Sequence, residues 1–201
     1  MNLTTELYST QNARWPQSGR HILAHYEAET VVVYQAYCPQ IGQFAVENGY
    51  FGGPFSLGRM SWIKPNFLWM MFRCGWATKE NQQVVLAVSL RREAFDGLLA
   101  DAVPSVFDPA LYARETDWKQ ALTTSNVRLQ WDPDHDPSGG KVERRALQLG
   151  LRGEALARYA REWIVGIEDV TDFVQQQRPH ALSGDWTRLQ TPLERVYPER
   201  P

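Results

Sequence analysis

One stretch of this chain leaves little choice of local structure. Residues Thr30-Val31-Val32-Val33-Tyr34-Gln35-Ala36-Tyr37 form a β-branched and aromatic run that stops before Pro39. Side chains of this kind are stiff at χ1 and pack well on a pleated surface, so the run predicts a buried strand. Helix punctuation follows at once. The segment from Pro39 to Gly49 opens on proline and closes on glycine, and Ile41, Phe44 and Ala45 recur at helical spacing. The same reading predicts strands over 59–64, 83–90, 127–131 and 146–151, with 163–167 as the last. It predicts helices over 65–72, 91–100 and 154–161, and one more around Trp118. Short strands alternating with short helices predict an α+β domain, and βαβ units are too few for a doubly wound sheet.

The two ends read differently. Residues 1–19 are polar and carry Pro16 and Gly19, so they read as an N-terminal arm. Residues 178–201 hold Pro179, Pro192, Pro198 and Pro201 and read as an extended surface tail. A single domain over 20–177 lies between them. With 43% apolar residues in 201, that domain has material for a core, which excludes global disorder.

Several function classes fall away on composition and motif. The net charge of −2 excludes a globally polycationic nucleic-acid binder but permits a local basic patch. Two cysteines, Cys38 and Cys74, cannot build a disulfide framework or a cysteine-rich zinc site. The first residues lack the basic start and apolar run of a signal peptide. The most apolar stretch, 62–76, is interrupted by Lys64, Pro65 and Arg73 and is too short to span a bilayer. A cytoplasmic protein with no membrane association is the expectation. There is no G-x-S-x-G, Walker or G-x-G-x-x-G motif.

Asp132, Asp134, Asp136 and Glu143 imitate a calcium loop, but Pro137 stands where the loop needs glycine. A polar turn after the Trp131 strand is the better reading, and no metal site is expected. His21 and His25 would share a helix face, but no metal motif accompanies them.

The most informative window is 50–79. It has no Asp or Glu, four bases (Arg59, Lys64, Arg73, Lys79) and three tryptophans (Trp62, Trp69, Trp76). Cations among flat aromatic surfaces suit a ligand with phosphates and bases. The apolar run around Trp69, Met70 and Phe72 reads as core. Over the whole chain 17 Arg stand against 4 Lys, a bias that GC-rich coding produces and that also suits bidentate phosphate contacts. Glu162 is the carboxylate singled out, because it directly precedes the apolar run Trp163-Ile164-Val165. A strand end can hold such a group over a cleft.

Five segments resemble the domain-of-unknown-function family 4291. They are Val33 to Tyr37, Arg59 to Met71, Gln130 to Pro133, Gln148 to Leu151, and Glu162 to Val165 with Asp169 to Thr171. Together they cover roughly 20–175. More loosely, the order of elements resembles small ADP-ribosyltransferase-type folds. The chain departs from their pattern in having Tyr34-Gln35-Ala36-Tyr37 in place of a histidine or arginine, and in lacking a Ser-Thr-Ser triplet.

That likeness implies a mixed, mainly antiparallel split sheet with short flanking helices. It also implies NAD as substrate, no metal, and an acceptor that is nucleic acid or protein. In that reading Glu162 stabilises the oxocarbenium-like transition state, and Arg59 with Lys64 holds the pyrophosphate. Tyr34 and Gln35 line the nicotinamide side, Ser61 is a further cofactor-binding residue, and Trp62 or Trp131 stacks on a ring. The alternative is a non-catalytic nucleic-acid- or nucleotide-binding module that uses the surface over 50–79.

Overall fold

The computed structural model describes residues 3–198. In chain order the elements are β1 (Thr5–Leu7), α1 (Tyr8–Asn12), β2 (Gly19–Arg20), β3 (Leu23–Ala24), β4 (Thr30–Tyr37), α2 (Pro39–Asn48), β5 (Ser61–Ile63), α3 (Phe67–Cys74), β6 (Val84–Arg91) and α4 (Arg92–Ala100). They continue with β7 (Val103–Pro104), α5 (Glu115–Thr124), β8 (Val127–His135), β9 (Lys141–Leu151), α6 (Gly153–Arg161), β10 (Ile164–Asp169), α7 (Thr171–Leu182), β11 (Gln190–Pro192) and β12 (Arg195–Val196). The chain is an α+β domain.

Two sheets carry the architecture. A three-stranded antiparallel sheet runs β10-β6-β4. A five-stranded sheet runs β2-β9-β8-β7 with β5 on β9; its β8–β9 and β5–β9 pairs are antiparallel, while β2–β9 and β7–β8 are parallel. The sheets meet at one antiparallel bridge between Tyr34 and Lys64, with Tyr34 N–H donating to Lys64 C=O at 2.7 Å and Lys64 N–H returning to Tyr34 C=O at 3.3 Å.

Alternation along β4 explains why that run is apolar on both faces. Val31 and Val33 enter a core with Leu147, Leu149 and Leu151 of β9. Val32 and Tyr34 face the other way, into a second core with Phe67, Leu68 and Met71 of α3. Helix α2 ends at Gly49 in the left-handed region, φ 73°, as its closing glycine predicts. Helix α3 starts one residue after its cap Asn66, whose Oδ1 accepts from Trp69 N–H at 2.6 Å, and it is buried on most of its surface.

The ends differ from the sequence reading. Among the described residues the arm and the tail form strands: β1 of the arm lies antiparallel to β11 of the tail, and β12 of the tail pairs β3 at the start of the central domain. Their polar residues conceal this, because the joining side chain is itself polar and buried. Gln11 Nε2 donates to Thr191 Oγ1 at 2.9 Å and to Pro192 C=O at 3.1 Å, and its Oε1 accepts from Glu194 N–H at 2.8 Å. Trp15 and Leu189 are buried beside it. The strand over 163–167 is therefore not the last, and helix α7 reaches past 178.

His21 and His25 flank strand β3 rather than sharing a helix. Strand β8 runs on through the aspartates to His135, so the polar turn begins at Asp136. The Oδ1 of Asp136 accepts from Ser138 N–H, Ser138 Oγ–H and Gly140 N–H. Asp134 is structural: buried Arg144 donates to its Oδ2 from Nε and Nη2, both at 2.7 Å, and from Nη1 to Pro16 C=O. Among the described residues no helix is long and apolar enough to cross a membrane.

The ion pair joins β8 to β9 and holds Arg144 where its bond to Pro16 ties the N-terminal segment to the five-stranded sheet. Removing one partner strands a buried charge, so Arg144→Met should lower the unfolding free energy by about 3–5 kcal/mol. Adding Asp134→Asn should restore most of the loss. Urea unfolding of both single variants and the double variant measures the coupling, and losses that merely add would refute it.

Candidate functional site

A cleft of about 790 Å³ opens at the seam between the two sheets, and no Asp or Glu lines it. Three cationic side chains do: Arg59 from the loop before β5, Lys64 at the bridge, and Arg73 from the last turn of α3. Among the described residues none of these three cationic groups makes a hydrogen bond or an ion pair. The fourth base of the acid-free window is used structurally. Lys79 Nζ donates to the carbonyls of Phe72 and Arg73 at the end of α3, at 3.4 and 2.8 Å.

Lys64 is the most constrained of the three, with only 4% of its surface exposed. Loss of hydration, reinforced by the nearby Arg73 charge, pulls its ammonium down to about 8. Asp132 opposes that shift from beyond ion-pair distance. It is held by two amides, accepting from Gln130 Nε2 at 2.8 Å and Gln148 Nε2 at 2.7 Å. Gln130 and Gln148 are cross-strand partners of β8 and β9, and both line the cleft.

The opposite wall is a hydroxyl–amide network. Gln35 Nε2 is shared among Tyr37 Oη at 2.7 Å, Ser61 Oγ at 2.9 Å and Trp62 C=O at 3.2 Å. Tyr37 Oη and Ser61 Oγ are 2.8 Å apart, and Tyr159 Oη–H donates to Gln35 Oε1 at 2.6 Å. Burial pushes the Tyr37 phenol upward, so it stays a neutral donor. Trp62 lies against the backbone of β9, where only glycine fits: a Cβ on Gly150 would come within 3.0 Å of its ring and 2.7 Å of Met60 Sδ.

The structure therefore brings together Gln35, Arg59, Ser61, Trp62 and Lys64 of the residues singled out in the sequence. It separates the other three. Tyr34 neighbours Gln35 in a strand, so it points to the opposite face, where it is fully buried with its ring edge-on to Phe67 at 5.4 Å. Trp131 is flanked by Gln130 and Asp132 in the same way and packs on the inter-sheet core.

Glu162 does not open a strand over this cleft. It is the C-terminal cap of α6, with a 59% exposed side chain accepting from Arg158 Nε at 3.1 Å. It lines a separate cavity with Arg91, Asp101, Glu154 and Trp163. The sequence reading counted Arg73 among the bases of the window without giving it a role, and it left out Tyr37, Gln130 and Gln148. The two glutamines carried a signal in being polar residues on alternating strands, but their register was needed to make them a pair. Among the described residues no group of three or more His, Cys, Asp and Glu is placed to hold a metal ion.

A family model described as Domain of unknown function (DUF4291) matches residues 21–197. No curated protein matches the chain.

The depressed Lys64 sets a pH dependence. The folded chain binds fewer protons than the unfolded one between about 8 and the ordinary lysine value, so stability rises with pH across that window. Lys64→Met removes the penalty and should stabilise the protein at pH 7 by on the order of 3 kcal/mol. The gain should vanish as pH approaches about 10.5. Urea unfolding at the two pH values measures it, and a gain independent of pH would contradict the assignment.

Proposed function

For a chain that belongs to the family of unknown function DUF4291, we propose that the cleft at the sheet seam binds a phosphate-bearing ligand of the nucleotide class. One observation carries this reading: among the described residues, three cations without a hydrogen bond or ion pair line a cleft whose wall holds no carboxylate. Lys64 is buried and Arg59 and Arg73 are exposed at the cleft, and without counter-charges in its wall an anion is the group that would complement all three. Trp62 offers a ring face for stacking, and the Gln35, Gln130 and Gln148 amides offer the directional polar groups that orient a ligand.

NAD falls within this class, and so do ADP-ribose and a nucleic-acid strand. The transferase reading keeps its phosphate clamp in Arg59 and Lys64 but loses Glu162 to the other cavity. If NAD is cleaved in this cleft, the carboxylate available near Lys64 is Asp132. In that case Asp132→Asn, and not Glu162→Gln, should abolish nicotinamide release.

The binding test is a thermal-shift series with pyrophosphate, ADP-ribose, NAD and a short oligonucleotide at low and high salt. A ligand at a hundred times its dissociation constant adds about 2.7 kcal/mol. At least one anion should stabilise the protein, less so at high salt. Arg59→Ala should weaken the effect, and Glu162→Gln should leave it unchanged. Indifference of the wild-type chain to all four ligands would overturn the reading.

A further inference from the structure

The four lysines of this chain stand in unlike places. Lys79 caps α3 through backbone carbonyls, Lys119 pairs with Glu115 at 2.8 Å, and Lys141 is exposed. Lys64 alone is buried in the wall of an open cleft, and among the described residues its Nζ has no hydrogen bond or ion pair. The identity of the residue is informative in a chain with 17 Arg and 4 Lys. A guanidinium would hold an anion as well or better, but it cannot lose its proton to become a nucleophile, whereas an amine can.

The neighbours suit that difference. Arg59 and Arg73 supply charge for a phosphate, and they leave Lys64 free for other chemistry. We propose that Lys64 is a nucleophilic amine that condenses with the carbonyl of a phosphorylated aldehyde whose phosphate is held by Arg59 and Arg73. This rests on the anion-binding reading of the same cleft.

In the step, the neutral Nζ adds to the carbonyl carbon to form a carbinolamine. Two protons pass from nitrogen to the former carbonyl oxygen, the C–O bond breaks and one water leaves. The C=N bond of an imine remains. No electrons are gained or lost, and water returns both partners. The downward shift of the Lys64 ammonium increases the share of neutral amine near neutral pH, in keeping with that role.

Pyridoxal 5′-phosphate serves as the probe, with borohydride reduction to fix the imine and peptide mapping to locate it. The map is read on the wild-type chain, so it does not depend on how a variant folds. The adduct should concentrate on Lys64, and its yield should rise through pH about 8. Pyridoxal, which lacks the phosphate, should label Lys64 about tenfold more slowly, since one charge-assisted phosphate contact is worth about that factor. Arg59→Ala, an exposed loop change, should slow the phosphorylated probe toward the rate of pyridoxal.

Labelling spread over Lys79, Lys119 and Lys141 in proportion to their exposure would overturn the proposal, as would an unlabelled Lys64. Either result together with stabilisation by pyrophosphate would leave the anion-binding reading standing. Either result together with indifference to all four ligands of the thermal-shift series would remove both.

Discussion

The Tyr34–Lys64 bridge is the contact on which the rest of the structure turns. Its two backbone hydrogen bonds are the hydrogen-bonded bridge between the three-stranded and the five-stranded sheet. Strand β4 is held on its other edge by eight register partners in β6. Lys64 is thus locked to the edge of a strand whose own side chains fill two cores. Burial and position come from the same backbone pairing, which is why the charge is at once costly and well placed.

The cleft also depends on the chain ends. Helix α3 carries Arg73, and its N-terminus is fixed by the C-terminal segment: Phe67 N–H donates to Glu194 Oε1 at 2.7 Å. Glu194 is buried, and loss of hydration pushes its carboxyl well above the usual range, with the Phe67 bond opposing the shift. Trp15 Nε1–H donates to the Glu194 carbonyl at 2.9 Å and Gln11 accepts from its N–H. Both termini therefore brace the helix that forms one wall of the site.

Much of this was legible in the sequence where one physical rule dominated. Apolar runs gave the central strands, and proline and glycine punctuation gave α2. The acid-free window identified Arg59, Trp62 and Lys64 because like charges without partners are visible in one dimension. Tyr34 and Trp131 lie away from this cleft for a reason the sequence does not display. Adjacent residues of a strand face opposite ways, and which face meets the cleft is set by sheet packing. Glu162 was misplaced because helix α6 runs to Arg161, one residue short of it, and an i, i+4 pair with Arg158 takes the carboxylate to the surface. The paired ends were hidden because Gln11 and Glu194 are polar residues whose buried partners lie at least 127 residues away in sequence.

The central claim is that Lys64 holds an unpaired ammonium in a cleft shaped for an anion, and nuclear magnetic resonance can read that group directly. The chain has four lysines, so their ε-methylene signals can be followed one by one through a pH titration. One should titrate near 8 and the other three near the ordinary lysine value. Pyrophosphate should move the first upward, because an adjacent anion favours the charged form. Four lysines titrating together, with none responding to pyrophosphate, would contradict the account.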